Sequence, residues 1–140
     1  MRRAFAVLAA LLMLAVVAQF FLAASGAFDT APNDESFRLH RALGYGIVLF
    51  AVLVTVVGAL ARMPGPLIGR SGLVAGLAVL QGVIAAIAKA FEDSGGSTAA
   101  GELVFGLHAV NGLAIMAVLG MIIRRARESS APAAPARQEP

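Results

Sequence analysis

The chain has 140 residues, of which 59% are hydrophobic and 14% charged, with 11 Lys and Arg against 8 Asp and Glu. Soluble domains carry about 45–50% apolar and about 25% charged residues, so the polar surface is too small to cover a water-soluble globule. That excludes an ordinary cytosolic enzyme, a disordered protein and a nucleic-acid module, and no nucleic acid is expected as a partner. The absence of Cys removes disulfides, thiolate metal sites and cysteine nucleophiles.

Four apolar runs, at about 4–24, 43–61, 73–90 and 103–123, each approach the roughly 20 residues that cross a bilayer as a helix. Lipid offers no partner to backbone N–H and C=O groups, so such runs must be helical. The first run follows Met1-Arg2-Arg3 and precedes Ser25-Gly26-Ala27, the outline of a signal peptide. It exceeds the roughly 7–15 residues of a cleavable apolar core, and is read as a retained span.

The connections fit this plan. Residues 28–38 form a polar loop in which Asn33 or Asp34 is the expected cap of the second helix. Met63-Pro64-Gly65-Pro66 is a tight turn, and Gly95-Gly96-Ser97 marks a flexible loop before the fourth span. Residues 1–127 thus form one transmembrane domain, and residues 128–140, rich in Pro, Ser and Ala, a disordered cytoplasmic tail. Short connections make consecutive helices antiparallel neighbours, so the predicted fold is an all-α, up-down-up-down four-helix bundle.

Charge sets the expected orientation. With a cytoplasmic N-terminus, Arg2, Arg3, Arg62, Arg70, Arg124, Arg125, Arg127 and Arg137 lie inside, whereas only Arg38, Arg41 and Lys89 lie outside. An excess of Lys and Arg on the cytoplasmic side is the usual rule, which gives a multi-pass protein of the cytoplasmic (inner) membrane with both termini inside.

The two halves of the chain repeat one another. Phe37-Arg38-Leu39-His40, with Gly44 and Ile47, matches Phe105-Gly106-Leu107-His108, with Gly112 and Ile115, at a constant offset of 68. The preceding helices match as well, Gln19 with Leu22-Ala23-Ala24 and Gln81 with Ile84-Ala85-Ala86. An internal two-helix duplication follows, and it sets the only two histidines at equivalent depths. They lie on the second and fourth helices, which are diagonal in such a bundle and can meet across its core.

Two imidazoles facing each other across an apolar core are an axial-ligand pair for haem iron, so His40 and His108 are the candidate metal ligands and haem b the candidate cofactor. Gly44 and Gly112, one turn deeper on the same faces, would leave room for a flat macrocycle. Arg38, Arg41 and Lys89 at the rim would pair with its carboxylates. Gln19 and Gln81 are polar groups inside the membrane that need partners, either across helices or in the cofactor cavity. Two histidines with Glu102 or Glu35 could supply the three or four ligands zinc takes, but no ligand spacing singles that set out, and the sequence holds no nucleophile elbow or phosphate loop.

Ala18-Gln19-Phe20 with Leu22-Ala23, His40-Arg41 with Leu43-Gly44, and His108 with Asn111 resemble the pattern of small bacterial four-helix membrane proteins that form a family of unknown function. More distantly, the chain is similar to one half of haem A synthase, whose halves each hold a haem site with histidines on the second and fourth helices. That resemblance implies that His40 and His108 are such a pair. The glutamate that stands three residues before the helix-two histidine in that enzyme is Phe37 here, and its outer-loop cysteine pair has no counterpart. The resemblance therefore implies haem handling or electron transfer, with a redox partner or quinone, rather than an enzyme acting alone. Two alternatives stand beside this expectation, a cofactor-free accessory subunit and a quinone-binding protein.

Overall fold

A computed structural model describes residues 1–92 and 98–128. The Gly95-Gly96-Ser97 loop and the tail from 129 onward lie outside the described residues. Helix α1 spans Arg2–Ala27, a single turn α2 spans Asn33–Ser36, and α3, α4 and α5 span Arg38–Leu60, Gly65–Lys89 and Ala99–Glu128. No strand occurs among the described residues. The four long helices are all long and apolar enough to cross a bilayer, which makes the chain a multi-pass membrane protein. No proline lies in their interiors, so each backbone ladder is unbroken.

The helices run several residues past the apolar runs of the sequence. Hydrophobicity marks the part that meets lipid, whereas the helix continues until a residue stops it. At α4 the stop signals are visible: Pro64 is the N-cap and Pro66 lies in the first turn, where a missing N–H costs nothing. Arg62, with φ at 50°, turns the chain between α3 and α4. The expected cap of the second span is corrected. Neither Asn33 nor Asp34 caps it; they open the separate turn α2, and Phe37 sits at the N-cap of α3 with no side-chain cap bond.

Turn α2 folds back onto the end of α1 because Gly26 has no side chain. A Cβ there would lie 2.8 Å from the Ser36 carbonyl oxygen and 3.1 Å from the Phe37 ring. Backbone cannot yield as a side chain can, so Gly26→Val should lower stability by about 1–3 kcal/mol. A thermal melt in detergent that matched wild type would show that this contact is not needed.

The long helices form a closed ring in which α1 packs on α3, α3 on α4, α4 on α5 and α5 on α1. The diagonal pairs, α1 with α4 and α3 with α5, have no backbone approach. The duplication is thus expressed as two antiparallel helix pairs that exchange places across the bundle. Large apolar side chains cover the outside, among them Leu14, Leu49, Val83 and Leu113, the surface a bilayer requires rather than water.

The bundle is packed at one end and hollow at the other. Phe5, Leu12, Val54, Val74, Leu119 and Ile122 are fully buried; most lie toward the end carrying Arg2, Arg62 and Arg124, here the arginine end. Helix α1 supplies Phe5, Ala9, Leu12 and Val16 to this core, so the first run is an integral helix of the bundle. One residue from each long helix, Val16, Ile47, Ala78 and Ile115, belongs both to the core and to the floor of a cavity above it. That cavity occupies the opposite, histidine end.

Candidate functional site: a diagonal histidine pair in a bundle cavity

The cavity measures about 1520 Å³, larger than the ~300–1,000 Å³ usual for a small-molecule pocket. His40 from α3 and His108 from α5 face each other across it, with ring centroids 6.1 Å apart and planes tilted by 45°. The helices that carry them have no backbone approach, so the imidazoles meet across this diagonal by the reach of their side chains.

Both rings are held in the same way. His40 Nδ1–H donates to the backbone carbonyl of Gln19 at 3.2 Å, and His108 Nδ1–H donates to that of Gln81 at 3.2 Å. A carbonyl only accepts, so the bond fixes the proton on Nδ1 and leaves a lone pair on Nε2. Neither Nε2 has a hydrogen-bond partner among the described residues. Holding the distal ring nitrogen on a backbone carbonyl is a common way to orient a metal-binding imidazole. The phenylalanines of the repeat flank the rings: Phe105 stacks on His108 at 5.2 Å, and Phe37 meets His40 edge-on at 6.1 Å.

Gln19 serves both roles left open by the sequence, whereas Gln81 lines the cavity and bonds across helices through its backbone carbonyl. The Gln19 side-chain amide donates to the His40 carbonyl at 2.8 Å, so Gln19 and His40 clasp α1 to α3 by two reciprocal bonds. Both glutamines also line the cavity. Their Oε1 atoms are buried without a hydrogen-bond partner. A buried acceptor left unpaired costs about 1–3 kcal/mol, which a ligand donor or an ordered water would recover.

The glycines also give clearance to neighbouring side chains. Gly44 and Gly112 do line the cavity, yet what a Cβ would meet is amide rather than open space. At Gly44 it would lie 3.1 Å from Gln19 Nε2, and at Gly112 3.3 Å from Gln81 Nε2 and 3.0 Å from the Phe20 ring. The missing side chains admit the glutamines that position the histidines.

The rim also departs from expectation. Arg41 and Lys89 line the cavity mouth, but Arg38 does not and points to the outside. Arg41 is engaged with Asp34, through the Asp34 carbonyl oxygen and a 3.8 Å ion pair to its carboxylate. This exposed pair is worth little on its own. Asp29, Glu92 and Glu102 share the mouth, so the rim is mixed in charge rather than basic.

Three features went unseen in the sequence. The histidine–carbonyl bonds depend on backbone, which carries no residue signature. Asn111 donates to the Leu77 carbonyl at 2.8 Å, joining α4 to α5 where the first half has only Leu43 and Ala15. Phe20 and Gly82, each the residue after a repeat glutamine, make the two sides of the cavity unlike; aligning the halves one residue further would have exposed this difference.

The donor set can be tested against a metal. A metal–imidazole bond of about 2.0 Å, plus about 1.1 Å from nitrogen to ring centre, places two rings on opposite sides of one ion about 6 Å apart. The observed 6.1 Å fits that separation. Among the described residues no group of three or more His, Cys, Asp or Glu could hold a metal ion.

These observations define a class: a four-helix membrane protein with a preformed histidine pair in a cavity at one end of the bundle. Within that class, the chain belongs to a family of unknown function, DUF6220, matched over residues 19–88. The matched stretch contains Gln19, His40 and Gln81 and ends before His108. No curated protein and no solved structure matches the chain.

Proposed function

We propose that the protein binds one b-type haem between His40 and His108 and serves electron transfer or haem handling in the membrane. The observation that carries this proposal is the 6.1 Å separation of two imidazoles whose Nδ1 protons are both fixed on backbone carbonyls. Haem, when bound, supplies one-electron redox chemistry. The chain's own residues do the rest. The Nε2 atoms of His40 and His108 would hold the group, and the Gln19 and Gln81 carbonyls keep the rings in the tautomer that leaves those atoms free. Val16, Ile47, Ala78 and Ile115 close the floor with apolar surface that keeps water and the dielectric low. Arg41 and Lys89 are the rim cations within reach of ligand carboxylates.

The arginine-rich end favours a cytoplasmic position for both termini. The cavity then opens at the outer face of the cytoplasmic membrane, where a redox partner would dock. The distant resemblance of His40-Arg41 and its helix to a haem A synthase half points to the same chemistry.

The test is a visible spectrum. Protein purified from haem-replete cells should give a reduced-minus-oxidised haem difference spectrum at one haem per chain, and a colourless, iron-free preparation would sink the proposal. One observation favours a second occupant: the unpaired Gln19 and Gln81 Oε1 atoms suit a ligand with hydroxyl donors, such as a quinol. That occupant would raise the melting temperature on addition of quinol with no iron present.

A further inference from the structure

The cavity has two flanks, and the repeat makes them comparable. One lies between α1 and α5, the other between α3 and α4. On the first, Phe20 fills the space, with its ring 3.0 Å from where a Gly112 Cβ would stand. On the second, the position equivalent to Phe20 is Gly82, and a Cβ there would meet nothing within 4 Å. The cavity lining continues through this flank to Tyr45, Leu49, Val79 and Gly82. Those side chains belong to the bilayer-facing surface, Tyr45 being 74% and Leu49 73% exposed. The histidine chamber is therefore continuous with the lipid-facing exterior on the side where the ring is missing. Gly46, one position beyond Tyr45 on the same helix, is also open but does not line the cavity.

We infer that the gap between α3 and α4, kept open by Gly82, is a lateral portal through which the tetrapyrrole enters edge-first from the bilayer, and that Phe20 closes the opposite flank. The identity of the occupant rests on the haem proposal above; the portal itself does not. A flat, largely apolar ring is soluble in the hydrocarbon phase. By this route it reaches the Nε2 atoms without crossing the mouth where Asp29, Glu92 and Glu102 stand beside Arg41 and Lys89.

Two measurements separate the portal from its occupant. The chain has no Cys, so Ala85→Cys places a single thiol on the cavity wall. In vesicles, a lipid-soluble maleimide should label this thiol about tenfold more slowly when Gly82→Phe is added, since the ring would occupy the gap through which the probe passes. Gly46→Phe should leave the rate unchanged, and a charged maleimide reaching the thiol from the rim should be unaffected by either. Equal labelling with and without Gly82→Phe would overturn the portal, whatever the protein binds. For the occupant, apoprotein in vesicles preloaded with haem should acquire its spectrum about tenfold more slowly with Gly82→Phe, reaching the same final amplitude, and faster with Phe20→Gly. Unchanged loading despite slowed maleimide labelling would overturn entry of the tetrapyrrole by this route. Failure of wild type to take up haem, with slowed labelling intact, would overturn the haem proposal and leave a portal for another lipid-soluble ligand.

Discussion

On the proposed haem reading, either His40→Ala or His108→Ala is expected to abolish the bis-histidine spectrum of the purified protein, because each removes one of the two proposed ligands and the chain has no third histidine and no cysteine. The loss should be close to complete for both variants, as the repeat gives the rings equivalent support. His108→Met should retain haem and shift its potential upward, since a thioether in place of imidazole favours the reduced iron. A redox titration alongside the spectrum would read both effects. If the histidines serve only to tie helices together, the alanine variants would instead lose about 0.5–1 kcal/mol of stability per hydrogen bond and show no change in colour.

The second large effect is expected at the other end of the bundle. Phe5 is fully buried, and its ring lies over Gly58, where a Cβ would stand 2.9 Å from Phe5 Cε2. In water a buried Phe→Ala costs about 3–5 kcal/mol. In lipid the transfer part of that cost shrinks, because the tails are as apolar as the side chain, and packing carries the remainder. Phe5→Ala should therefore cost about 2–4 kcal/mol, read by unfolding in mixed micelles. Gly58→Val alone should also destabilise by crowding the ring. The double variant should be more stable than the two losses added together, since valine refills part of the void. A Phe5→Ala loss below about 0.5 kcal/mol, the range of ordinary surface substitutions, would show that α1 is not anchored by this contact.

The two predictions probe opposite ends for a physical reason. Lipid gives helices no hydrophobic drive to associate, so close packing and interhelical hydrogen bonds must hold them. At the arginine end packing does so, through Phe5 on Gly58 and the layers around Leu12, Val54, Val74 and Leu119. At the histidine end small residues leave a void, and hydrogen bonds take over: Gln19 with His40, Gln81 with His108, and Asn111 with Leu77. A hollow end held by polar clasps is what a ligand chamber within a bilayer requires.

Much of this was legible in the sequence because membrane chemistry leaves few options. Apolar runs in a chain so poor in charge must be helices, and short connections between them must give antiparallel neighbours. The 68-residue repeat placed His40 and His108 on diagonal helices at one depth, and the structure brings their rings together. Where a hydrogen bond uses backbone, or a clearance depends on a third helix, the sequence carried no mark. So the charge pattern places Arg38 at the rim although it does not line the cavity, and the repeat does not show that Gly44 and Gly112 also clear space for the Gln19 and Gln81 amides and the Phe20 ring.

Composition and periodicity by themselves determined the class of fold, the number of spans and the pairing of the two histidines, since these follow from local hydropathy and from a repeat. Only the tertiary structure decided which ring nitrogen is free, that the core is solid below Val16, Ile47, Ala78 and Ile115 and hollow above, and that Phe20 and Gly82 make one flank closed and the other open. Those features arise where side chains from separate helices compete for the same few ångströms. That competition is settled by packing in three dimensions, and a one-dimensional pattern does not record it.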